Sequence, residues 1–74
     1  MQTLRHKRII FSYYNAFDGD NLGSMNMPYD RNKATRGYYS KYWKTMKEHL
    51  ANTWKLDKHW VRVKVNIIFS YPHL

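Results

Sequence analysis

The 74-residue chain has no cysteine, which removes disulfides and every thiolate metal site and fits a reducing compartment. Acid is scarce. Asp18, Asp20, Asp30, Glu48 and Asp57 are the whole supply against 13 Lys and Arg, leaving a formal charge of +8. So few carboxylates give hydrolytic acid–base chemistry little material, and a nucleic-acid mimic would need the opposite sign. Only Gly19, Gly23 and Gly37 occur, and no phosphate-cradling glycine loop is among them. No apolar run approaches the ~18 residues of a membrane-spanning helix. The basic start and apolar residues 9–11 are followed by Ser12, Tyr13, Tyr14 and Asn15 without a small-residue cleavage site, so the expected location is cytoplasmic. His6, His49, His59 and His73 lack the paired helical spacing of metal ligands, and no metal or cofactor is expected.

A chain of this size buries only ~60% of the surface its unfolded form exposes. Below roughly 80 residues, stability commonly needs self-association, a partner or dense aromatic packing. Aromatics make up 18% of the chain, with seven Tyr and three Trp. The expectation is one domain over residues 1–74, as a homodimer.

The pentapeptide Ile-Ile-Phe-Ser-Tyr occurs at 9–13 and again at 67–71. In the second copy it ends a long alternation: His59, Val61, Val63, Val65, Ile67, Phe69 and Tyr71 on one face, Trp60, Arg62, Lys64, Asn66, Ile68 and Ser70 on the other. Period two over this length predicts a strand with one buried and one basic face, stopped by Pro72. Ile9, Phe11 and Tyr13 form the matching face of a first strand. Equivalent faces predict sheet neighbours under one helix, and a helical connection permits parallel pairing by crossover. Between them, Asp18-Gly19 predicts a tight hairpin, and 21–27 reads as a short second strand or a loop.

Pro28, Tyr29 and Asp30 mark a helix entrance with Asp30 as N-cap, and Gly37 shifts the regular helix towards Tyr38. Tyr39, Trp43, Met46, Leu50 and Trp54 then recur at helical spacing, flanked by Tyr38, Tyr42, His49 and Thr53, opposite an arc with Lys41, Lys44, Glu48, Asn52 and Lys55. The fold class is α+β: a small ββαβ (or βαβ) domain with one amphipathic helix on a two- or three-stranded sheet.

Two motif echoes fail on their own positions. Arg36-Gly37-Tyr38-Tyr39 opens like the RNP1 pattern of RNA-recognition domains, but Ser40 and Lys41 depart from it and the segment has helical period. Asp18, Asp20 and Gly23 fit a calcium loop, yet Leu22 and Tyr29 stand where oxygen ligands are required. What remains is basic and aromatic. Cations neutralise phosphates, and interleaved rings stack on bases. The residues expected to hold an anion are Arg62, Lys64, Trp60 and Asn66 on the last strand, Arg31, Lys33 and Arg36 at the helix entrance, and Arg5, Lys7 and Arg8 near the start. Tyr14, Ile10 and Ile68 are expected interface anchors. The function expected is non-enzymatic binding of nucleic acid or an anionic nucleotide. The alternative is a small phage-type inhibitor or accessory protein docking on a host protein or larger assembly.

Overall fold

The structure, a computed structural model, describes residues 6–70, with side chains for 7–69. Its elements run β1 (His6–Asn15), β2 (Asn21–Pro28), α1 (Arg31–Thr35), α2 (Tyr38–Thr53), a 3-10 turn (Lys58–Trp60) and β3 (Val61–Ser70). The strands form one antiparallel sheet in the order β2-β1-β3, so the fold is α+β with a ββαβ chain order.

The strands that carry the two copies are sheet neighbours, although the copies themselves meet only at Ile9 and Ile67. Ile9 lies opposite Ile67, Phe11 opposite Val65 and Tyr13 opposite Val63. Their pairing is antiparallel, not parallel. The hairpin reverses the chain before the helix, so the helical crossover joins β2 to β3, which run the same way with β1 between them. Position 71 and Pro72 lie outside the described residues.

The hairpin is wider than a two-residue turn. Ala16–Asp20 form a loop closed by the Asn15 N–H donating to the Asp20 carbonyl at 2.8 Å and the Gly19 N–H donating to the Asn15 carbonyl at 2.7 Å. The Asp18 carboxylate accepts from the Asp20 N–H at 2.9 Å, which accounts for an acid there without a metal. A register shift between Tyr13 and Tyr14 interrupts the β1–β2 ladder, and Leu22 enters the core there.

Asp30 caps α1 as expected, its carboxylate accepting from the Asn32 N–H at 2.8 Å. Gly37, at φ 75°, ends α1 and opens α2 in the left-handed conformation that side chains resist. The far end of α2 closes with the Leu56 N–H donating to the Ala51 carbonyl and the Lys55 N–H to the Asn52 carbonyl. This is the Schellman pattern, with Lys55 at φ 55° where glycine is usual.

Ile9, Phe11, Tyr13, Leu22, Tyr39, Ala51 and Val61 are buried together, with Trp43, Met46 and Leu50 packed against them. Tyr39 stacks on Tyr29 at 5.5 Å and contacts Phe11 at 6.4 Å, so the start of α2 lies over β1 and the β2–α1 corner. Four expected members of the helix face stand outside this core, with Tyr38 and Thr53 exposed on its flank. Trp54 falls on the C-cap and is exposed, because the helix ends before it can turn inward, and His49 is exposed on the solvent arc.

The helix does not cover the whole inner face of β3, as the alternation alone implied. Val61 is fully buried and Val63 half-buried, but Val65, Ile67 and Phe69 are 46%, 48% and 57% exposed. At ~1.5 Å per residue α2 is roughly 24 Å long, whereas a ten-residue strand spans ~34 Å. Lying over β1 and β2 at its start, the helix reaches β3 only at that strand's beginning.

Candidate nucleic-acid interface

With the helices on one face of the sheet, the other face is bare. β1 presents Arg8, Ile10, Ser12 and Tyr14 there. In register beside them stand Ile68, Asn66, Lys64 and Arg62 of β3. On the other flank Asn26 pairs with Ile10 and Ser24 with Ser12. None of the five acids lies in a strand: Asp18 and Asp20 are in the hairpin loop, Asp30 caps α1, Glu48 is on α2 and Asp57 precedes the 3-10 turn. Among the described residues the face therefore holds three cations, Arg8, Arg62 and Lys64, with no opposing carboxylate in the sheet.

Each cation is fixed differently. Arg8 donates through Nε to the Asn26 side-chain oxygen at 2.6 Å, which aims its guanidinium across β2 and leaves part of its donor fork for a ligand. Arg62 and Lys64 are exposed, two places apart on β3, and so roughly 7 Å apart along the strand. Arg62 is opposite Tyr14, whose ring is partly exposed, and Lys64 is opposite Ser12. A ring flanked by a guanidinium and an ammonium can stack on a base while both cations meet phosphates.

The expected site residues thus divide into groups. Arg62, Lys64, Asn66 and Arg8 share the open face, and Ile10 and Ile68 lie among them. Tyr14, expected as an interface anchor, joins this group as its aromatic member. Alternation alone sets Tyr14 on the face opposite Tyr13; what it does not record is the cross-strand register that puts Arg62 opposite the Tyr14 ring.

Trp60 does not lie on the polar face of β3. The Asp57 carboxylate caps a 3-10 turn by accepting from the His59 N–H at 2.9 Å, and β3 begins only at Val61. Trp60 packs edge-on against Phe17 at 5.6 Å, and its carbonyl accepts from the Ala16 N–H at 2.7 Å, tying the hairpin loop to the turn. The His59 N–H, and after it the His59 ring, whose Nδ1 lies 2.6 Å from the same carboxylate oxygen, hold the Asp57 carboxyl below its ordinary range.

The remaining cations are elsewhere. Lys7 is on the helix side, its ammonium 4.6 Å from the Tyr29 ring centre and 5.6 Å from that of Phe69. Arg31, Lys33 and Arg36 are exposed on and beside α1, with the Lys33 ammonium 5.1 Å from the Tyr38 ring. Arg5 lies outside the described residues. Near Lys33 a cleft of about 640 Å³ is lined by Tyr29, Tyr38, Tyr39 and Tyr42. The Tyr39 hydroxyl there is committed to the fold, donating to the Pro28 carbonyl at 2.9 Å and accepting from the Asp30 N–H at 2.8 Å. Among the described residues no group of three or more His, Asp or Glu is placed to hold a metal, and no helix is long and apolar enough to cross a membrane.

Comparison with protein-family models, curated proteins and solved structures finds no match. The residues themselves carry the functional reading.

Proposed function

We propose that this protein is a non-enzymatic binder of single-stranded nucleic acid, which it holds across the open face of its sheet. The observation that carries this reading is the placing of Arg62 and Lys64 beside Tyr14 on a face that also holds Arg8, six residues away along β1, and whose strands contain no acid. The cations supply sequence-independent attraction for phosphates. The Tyr14 ring favours unpaired bases, because a base inside a duplex does not offer its π-face. A lone nucleotide would use only part of a face this extended. The reading includes a cytoplasmic location, in keeping with a chain that uses no disulfide.

Fluorescence anisotropy with labelled single-stranded DNA and RNA, at two salt concentrations, tests it. Affinity is expected to fall steeply with salt, and removing Arg62 and Lys64 together as Arg62→Ser/Lys64→Ser is expected to flatten the log–log slope by ~1.4, at ~0.7 per cation on a single strand. Tyr14→Ala is expected to weaken binding at either salt. Lys41→Ser, on the solvent arc of α2, is expected to change the slope far less. Absence of binding at low salt, or equal loss from Lys41→Ser and the Arg62/Lys64 pair, refutes the assignment.

A further inference from the structure

The nucleic-acid reading leaves the outer edge of β3 unused. Among the described residues β3 is the last strand of the sheet, and its outer backbone edge has no strand partner. From Val65 to Ser70 it carries neither charge nor proline, the usual protections of a natural edge. Val65 and Ile67 are about half exposed on the helix side, and Ile68 is 40% exposed on the open face. The charges of β3, Arg62 and Lys64, are confined to its amino half.

A strand divided in this way complements itself when reversed. We infer that β3 pairs antiparallel with the β3 of a second copy, about a two-fold axis at Asn66, to make one continuous sheet. The register follows from two constraints. Paired residues must point to the same face, so paired numbers sum to an even value and one residue opposes its own copy. Like charges directly opposite are destabilising, which excludes Val63 and Lys64 as centres, since these set Arg62 against Lys64 or Lys64 against itself. Centring on Val65 leaves the two Lys64 ammonium groups as diagonal neighbours and spends Ile67 on half-buried Val63.

Centring on Asn66 pairs exposed Val65 with exposed Ile67, sets Lys64 against Ile68, and moves the two lysines roughly 14 Å apart along the seam. Centring on Ile67 shortens the paired stretch and leaves Arg62 beyond its end. A two-fold perpendicular to the sheet also keeps both open faces on the same side, so Arg62 and Lys64 of both copies line one surface.

One strand edge with this apolar strip gives an interface of roughly 1,000 Å² in total, at the small end for a stable complex, so a micromolar dissociation constant is expected. Sedimentation velocity without nucleic acid, from ~1 to ~200 µM, is expected to show a monomer–dimer equilibrium. Ile67→Lys is expected to raise the dissociation constant at least ~10-fold with an unchanged circular-dichroism spectrum, since the side chain is half exposed in the monomer.

Because the chain has no cysteine, single substitutions read the register directly. Under mild oxidation Asn66→Cys is expected to give a covalent dimer, because directly opposed residues have Cα atoms about 4.5–5.5 Å apart, within disulfide range. Arg62→Cys and Lys64→Cys are expected to remain largely monomeric. A monomeric mass throughout, a dimer indifferent to Ile67→Lys, or cross-linking of Lys64→Cys equal to that of Asn66→Cys would overturn the inference. The nucleic-acid reading stands or falls separately, because Tyr14→Ala, on β1 and away from the β3 seam, is expected to weaken nucleic-acid binding and leave the ligand-free dimer intact.

Discussion

Replacing Tyr39 by Phe removes one oxygen and tests what holds the sheet to the helix. The hydroxyl is the only atom changed, and it serves both sides of the β2–α1 corner: the Asp30 N–H donates to it at 2.8 Å, and it donates to the Pro28 carbonyl at 2.9 Å. The ring keeps its stacking on Tyr29 and its contact with Phe11. Each hydrogen bond contributes about 1 kcal/mol net, and the two orphaned backbone groups are only part-buried, so the expected loss is about 1–3 kcal/mol.

Against a total stability of about 4–11 kcal/mol for a chain of this length, that is a large share. With a urea m-value of about 1 kcal/mol/M, the unfolding midpoint is expected to fall by ~1–3 M at constant m. Tyr38→Phe, on an exposed ring one position away, is expected to stay within about 0.5 kcal/mol of wild type. A midpoint shift below ~0.3 M for Tyr39→Phe would show that the corner does not depend on this hydroxyl, and the account of its role would be wrong.

Other expectations follow from the backbone and from burial. Lys55→Gly relieves a left-handed residue at the end of α2 and is expected to raise stability by about 1 kcal/mol, or ~4–8 °C in Tm; a fall in Tm would refute the strain. Gly37→Ala meets open space but the same unfavourable φ, and is expected to lower stability by about 1 kcal/mol in the same thermal assay. Burial, reinforced by the neighbouring Tyr42, pushes the Tyr13 phenol from its ordinary 10.0 up to about 12. The unfolded chain therefore loses this proton first, and the contribution, complete below pH ~10, is lost as pH rises through the folded value. Urea unfolding across that window is expected to cost the wild type about 2–3 kcal/mol more than Tyr13→Phe, and parallel curves would contradict it.

Alternation along 61–69 and at 9–13 was enough to assign the faces of β1 and β3 and to make them neighbours. Tyr39, Trp43, Met46 and Leu50, with Asp30 before them, announced the helix and its inner side. Arg62, Lys64 and Asn66 could be placed on the polar face for the same reason. A period of two or 3.6 reports which way a side chain points relative to its own backbone, a local property.

Other features depended on where one element ends against another. Trp60 left the strand because the Asp57 cap supplied a competing local turn, and Trp54 fell past the last turn of α2, closed by a lysine where a glycine signal is usual. Tyr14 became the ring among the open-face cations only when the register set it opposite Arg62. Antiparallel pairing of β1 and β3 followed from the hairpin, whose second strand the sequence left open. Above all, nothing local recorded that a sixteen-residue helix starting over β1 and β2 reaches only the beginning of a ten-residue edge strand. Val61 and Ile67 carry the same pattern signal, yet one is sealed in the core and the other half exposed. Burial depends on what packs above a residue, and that is set by lengths and angles between segments far apart in the chain.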